Sequence, residues 1–208
     1  AVAMAQPHLG PGPWRVLEAG AGCGWAGVRL LGQGHRVAGV DVNLDPTDGL
    51  PAANPLLPAP EALPRAEAEM DALPLEPSSF DLVLAVGSLH VGPRLTRTLV
   101  ELRRVVRRGG VLLVLDSPVF RDRPDGEAMV ADRMRAHARR YPPGLPRESE
   151  PSYLVLPELH ELFSSSGWRL AVHGWPPWWR ERLGNLASAG RHRRPPPRFP
   201  ILVGRRDG

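Results

Sequence analysis

The stretch "RVLEAGAGCGW", Arg15–Trp25, sets an acid, Glu18, at the end of an aliphatic run and follows it with three alternating glycines. Glycines let a backbone approach a ligand closely, and a helix opening after them adds N–H donors and a positive end. Gly20, Ala21, Gly22 and Gly24 are therefore candidate cofactor contacts. Further along, Asp41 closes a second apolar run and Asp71 follows a third, positions from which carboxylates accept hydrogen bonds. His90, in "GSLHV" beyond a fourth run, is the candidate general base, because imidazole titrates near neutral pH and open α/β sheets bind ligands at that edge. Cys23 reads as a small buried hydrophobe, and no metal site is expected.

Two cofactor classes use a strand, glycine loop and helix. The dinucleotide pattern G-x-G-x-x-G/A would begin at Gly20 and Gly22, but its third position falls on Trp25, whose ring should obstruct close packing of helix on strand. The pattern present is acid-x-G-x-G-x-G.

Strand-like and helical runs alternate along the chain, predicting βαβ units around a mainly parallel sheet. The first strand falls near Trp14–Glu18, a short helix follows in "WAGVRLLGQG", and "HRVAGVDVN" is the second strand. Six prolines between Leu44 and Arg65 leave room for a loop with one or two helical turns. A short third strand precedes Asp71, and the fourth spans Phe80–Val86. Leu95, Leu99, Leu102 and Val106 recur at helical spacing; "RRGG" ends that helix, and "VLLVLD" reads as a central parallel strand covered on both faces. Pro157 suits the start and Gly167 the end of a late helix, before two final strands, "WRLAVHGW" and "FPILVGRR".

A chain of 208 residues supports one well-buried domain, divided into a core over 14–116, a lid insertion over 117–152 and a helix with a strand hairpin over 153–208. No apolar run approaches the roughly 20 residues of a membrane helix, and no secretory signal is visible. A single cysteine suits a reducing compartment, so a cytoplasmic location is expected. A net charge of +4 carried almost wholly by arginine, with 25 prolines, fits a biased genome or proline-stiffened loops better than an obligate nucleic-acid partner.

With these motifs in place, the chain resembles the class I S-adenosylmethionine-dependent methyltransferases, in the branch of small methyltransferase domains, over roughly Trp14–Trp168. "VLEAGAGCG" is similar to the first cofactor motif, "VAGVDVN" to the second, "AEMDALPLEPSSFDLVLAVGSLHV" to the third and fourth, and "LRRVVRRGGVLLVLD" to the fifth. The resemblance implies a Rossmann-like, seven-stranded, mainly parallel sheet with helices on both faces and an antiparallel terminal hairpin. It implies S-adenosylmethionine as cofactor and S-adenosylhomocysteine as product. Gly20, Ala21, Gly22 and Gly24 would wrap the methionine part, and Glu18 would hold its amino group. Asp41, with Val42 beside it, would bind the ribose hydroxyls; Asp71 and the backbone at Ala72 would meet the adenine amino group; Val86, Gly87 and Leu89 would lie by the sulfonium. The usual helix after the second strand is replaced here by the proline-rich stretch.

Methyl transfer from a sulfonium needs alignment and exclusion of water, and a base only where the acceptor must lose a proton. The expected acceptor is a small molecule. The rivals are an RNA or protein acceptor docked on the Arg-rich helix and "RHRRPPPRF", and a module that binds the cofactor without turnover. Tyr141, Tyr153 and arginines 133, 135, 139 and 140 are candidates for reading an anionic acceptor, while Trp175, Trp178 and Trp179 form an aromatic cluster expected to pack.

Overall fold

The computed structural model describes residues 2–59, 62–92, 94–140, 152–175 and 195–207. Its strands β1 (Arg15–Ala19), β2 (Arg36–Asp41), β3 (Arg65–Glu67), β4 (Phe80–Val86), β5 (Val106–Leu115), β8 (Trp168–His173) and β9 (Ile201–Arg206) form one sheet in the order β3-β2-β1-β4-β5-β9-β8. β1 to β5 pair in parallel, and β9 runs antiparallel to both β5 and β8. Strand order therefore reverses beside β1, between the halves leading to β3 and to β8, and opens a crevice at the carboxyl ends of β1 and β4.

Alternation of side chains sorts the core onto two faces. Val16 on β1, Leu82 and Leu84 on β4 and Val111 and Leu113 on β5 pack with α2 (Trp25–Leu31) and with Ala5, beside the short α1 (Gln6–Leu9). Their neighbours Leu17, Ala19, Val83, Ala85, Leu112 and Val114 pack with Leu99 and Leu102 of α3 (Leu95–Val105) and Leu159 and Phe163 of α5 (Leu156–Ser165). β5 is buried on both faces, which is why it reads as an uninterrupted apolar run. Gly167, at φ +77, closes α5, and its N–H donates to Ser164 O.

Two features differ from the sequence expectations. "RRGG" does not cap α3: the helix ends at Val105 and these residues run on as the first part of β5. The register shifts there between Phe80 and Leu82, and a Cβ on Gly110 would stand 2.8 Å from Asp81 O, so the irregularity needs glycine. A two-stranded parallel pair, β6 (Val119–Phe120) with β7 (Leu154–Val155), ties down the insertion ahead of α5. The Arg-rich helix is α4 (Arg123–Arg140), and Tyr141, Trp178 and Trp179 lie outside the described residues. The proline-rich stretch supplies a 3₁₀ segment over Leu50–Leu56, whose Ala53 stands in the core beneath α2. Among the described residues no helix is long and apolar enough to cross a membrane.

Candidate functional site

The loop after β1 turns over three glycines with positive φ, +69 at Gly20, +50 at Gly22 and +69 at Gly24. Two carboxylates hold it from below and from the side. Asp41 accepts the Gly22 N–H at 2.7 Å through Oδ2 and the Asn43 N–H at 2.8 Å through Oδ1, joining the loop to the end of β2. Glu18, 2% exposed, accepts the Gly27 N–H at 2.8 Å, satisfying a donor in the first turn of α2. Gly27 carries no Cβ to keep that carboxylate away; one would stand 2.6 Å from Glu18 Oε2.

Burial, opposed by the Gly27 hydrogen bond and reinforced by the charge of Asp41, pushes the Glu18 carboxyl from 4.5 up to about 7. Between those values the folded protein keeps a proton that the unfolded chain has released, so stability falls as pH rises across that window, by at most roughly 3 kcal/mol. Glu18→Gln is expected to remove this slope, as checked by urea unfolding of both proteins at pH 5 and pH 8. An equal loss of stability in the two proteins would place the effect elsewhere.

Beside the loop lies a cavity of about 390 Å³ lined by Gly20, Ala21, Gly22, Asp41, Val42, Val86 and Gly87. Those seven are the sequence candidates that the structure brings together. Cys23, Trp25, Asp48, Ser88, Val91 and the run Ala68–Met70 line it as well. The sequence signal for Ala68–Met70 was their place directly after β3, at the carboxyl edge that binds ligands.

Other candidates stand apart from this cavity. Glu18 faces α2, as just described. Gly24 is the residue before α2, and its N–H donates to Ala21 O at 2.8 Å. Asp71 is buried, and its Oδ2 accepts the Arg94 Nε–H at 2.8 Å, while the Ala72 N–H donates to Glu69 O. The pair meant for the adenine amino group is thus engaged within the protein. Leu89 is fully buried in the core on the α3 face.

His90 also turns away from the cavity. Its Nδ1 lies 3.2 Å from the Ser117 hydroxyl, and its carbonyl accepts the Ser152 hydroxyl. Burial, with the nearby positive charge of Arg133, pushes its pKa down to about 4, so the ring is neutral across the physiological range. Loss of a general base costs about 10²–10⁴ in rate. His90→Gln is expected to lower kcat/KM for methyl transfer by less than tenfold, and a hundredfold loss in steady-state assays would restore it as the base.

Trp25 corrects a second expectation. Its ring does not face the sheet; it is 53% exposed, and the close approach of helix to strand is made at Gly27 instead. Trp25 and Val86 also line a second, larger cavity of about 540 Å³ over the α1/α2 face of the sheet.

Residues 17–114 match the family described as a methyltransferase domain. A fatty-acid O-methyltransferase of Mycolicibacterium smegmatis is 34% identical over 121 residues, which are 57% of this chain and 42% of that protein, so the match spans less than half of the relative's length. Among solved structures, the YcgJ protein of Bacillus subtilis superposes with a TM-score of 0.69 at 18% identity, over 100% of this chain and 97% of that one. The 1,6-didemethyltoxoflavin-N1-methyltransferase of Burkholderia thailandensis, solved with 1,6-didemethyltoxoflavin and S-adenosylhomocysteine bound, has a TM-score of 0.63 at 21% identity, over 99% and 76%. At these identities the structural likeness speaks for the fold.

Proposed function

We propose that the chain, whose residues 17–114 match the methyltransferase-domain family, is a class I S-adenosylmethionine-dependent methyltransferase that transfers a methyl group from S-adenosylmethionine to a small-molecule acceptor. The observation carrying this reading is the glycine loop pinned by Asp41 against a cavity that Val86 and Gly87 also line.

The residues present fit the cofactor. Gly22 leaves its side of the cavity open, since a Cβ there would meet only Asp48 O, at 3.6 Å. Asp41 spends one hydrogen bond per oxygen on the backbone, and each oxygen keeps acceptor capacity for a hydroxyl. Asp41 and Val42 would hold the ribose side, Gly20–Gly22 the methionine side, and Ala68–Met70 the base. Glu18 would act through the loop, by fixing the first turn of α2. When bound, the cofactor supplies an electrophilic methyl group on a sulfonium. The protein's part is to align the acceptor near Val86 and Gly87 and to keep water out.

The relative named for fatty-acid O-methylation favours an oxygen acceptor of low molecular mass for this chain too. Calorimetric titration tests the cofactor half of the reading: micromolar binding of S-adenosylmethionine and no binding of NAD are expected. The reverse pattern would overturn it.

A further inference from the structure

The larger cavity is a groove laid along the sheet. Its floor is Leu84 and Val86 of β4 with Leu115 of β5, and α2 forms one wall. Trp14 and His35 close the far end, their rings stacked at a centroid distance of 4.8 Å. The α2 side lines the groove from Trp25 at its upper mouth to Gln33 just past the helix end, a span of roughly 12 Å at 1.5 Å per residue. That mouth is built from Trp25 and Val86, the two residues shared with the cofactor cavity. The polar side chains of its lining are Gln6, Arg29, Gln33 and His35, and none of them belongs to the floor.

An apolar-floored groove whose mouth adjoins the proposed cofactor cavity suits one kind of acceptor. We propose that it holds the tail of a linear aliphatic carboxylic acid, with the carboxylate at the Trp25–Val86 mouth. This rests on the methyltransferase reading above and adds the acceptor class to it. Such an acid is already ionised at neutral pH. Its oxygen attacks directly: the O–CH₃ bond forms as the S–CH₃ bond breaks, the electron pair stays on sulfur, and no proton is moved. That chemistry agrees with a His90 ring held at Ser117 rather than at the cavity.

The test uses the full chain with S-adenosylhomocysteine bound, titrated calorimetrically with butanoate, octanoate, dodecanoate and hexadecanoate, followed by methyl-ester formation with S-adenosylmethionine. Affinity and kcat/KM are expected to rise with chain length, by up to about fourfold per methylene buried. Gln33→Trp, at an exposed position at the far end of the groove, is expected to cut the preference for hexadecanoate over octanoate at least tenfold without changing affinity for the cofactor. Binding of S-adenosylmethionine with no saturable binding of dodecanoate overturns the groove assignment alone. So does turnover indifferent to chain length, or a dimer in sedimentation that covers Trp25 and excludes dodecanoate. Failure of S-adenosylmethionine itself to bind overturns the methyltransferase reading beneath it.

Discussion

Asp41→Ala is expected to weaken S-adenosylmethionine binding by about 2–4 kcal/mol, or roughly thirtyfold to a thousandfold, in a protein that still folds. The carboxylate does two things at once. It faces the cavity, where it would accept from the ribose hydroxyls, and it holds the Gly22 and Asn43 N–H groups at 2.7 and 2.8 Å. A hydrogen bond to a charged group contributes about 1.5–3 kcal/mol, so losing direct contacts together with the geometry of the loop exceeds the cost of either alone. Asp41→Asn separates the parts: one amide oxygen can keep the Gly22 N–H, while the charge and the second acceptor are gone. Its affinity is expected to fall between those of the parent and Asp41→Ala in calorimetric titration. Unchanged affinity in a folded Asp41→Ala protein would remove the residue from the site. The substitution also withdraws a negative charge from beside Glu18, so the rise of that carboxyl towards 7 should shrink.

The strands were legible because the core alternates. Val16, Leu82, Leu84, Val111 and Leu113 fall on one face and their sequence neighbours on the other, and an apolar run as long as "VLLVL" is stable only when covered twice. The same alternation held information about Glu18 that motif spacing concealed. Glu18 lies two residues after Val16 and so faces α2 with it, beneath the loop rather than over it. Asp71 and His90 have partners that the sequence did not announce. Their partners, Arg94 and Ser117, are 23 and 27 residues away, and no local pattern announces a pairing made in the tertiary fold. Trp25 shows the limit of a packing argument made from a residue's bulk: at the first position of α2 the side chain points out, and Gly27 takes the close contact. The groove beside β4 was invisible for the same reason as the ion pairs, since it exists only between α1, α2 and a sheet face built from residues far apart in the chain.

Gly20→Ala is expected to destabilise the fold by about 2–5 kcal/mol, measured by urea unfolding. Two costs add. Gly20 sits at φ +69, where an L-residue costs roughly 1–2 kcal/mol. An added Cβ would also overlap Ser88 Cβ, and overpacking of this kind costs about 1–3 kcal/mol. Ser88 cannot yield easily: it is 6% exposed, and its hydroxyl donates to Ala19 O at 2.6 Å, fastening the end of β4 to the end of β1. In the double variant Gly20→Ala/Ser88→Gly the steric part should be recovered and the backbone part retained, so the two changes are expected to couple by about 1 kcal/mol or more. Gly22→Ala is the contrasting case. Its φ of +50 carries a similar backbone cost, but its Cβ would enter the open cavity, with Asp48 O at 3.6 Å as the nearest protein atom. Gly20→Ala should therefore be read chiefly in unfolding curves, and Gly22→Ala chiefly in S-adenosylmethionine affinity. If Gly22→Ala binds the cofactor as tightly as the parent, the loop does not approach the ligand at that residue, and the cofactor lies elsewhere in the crevice.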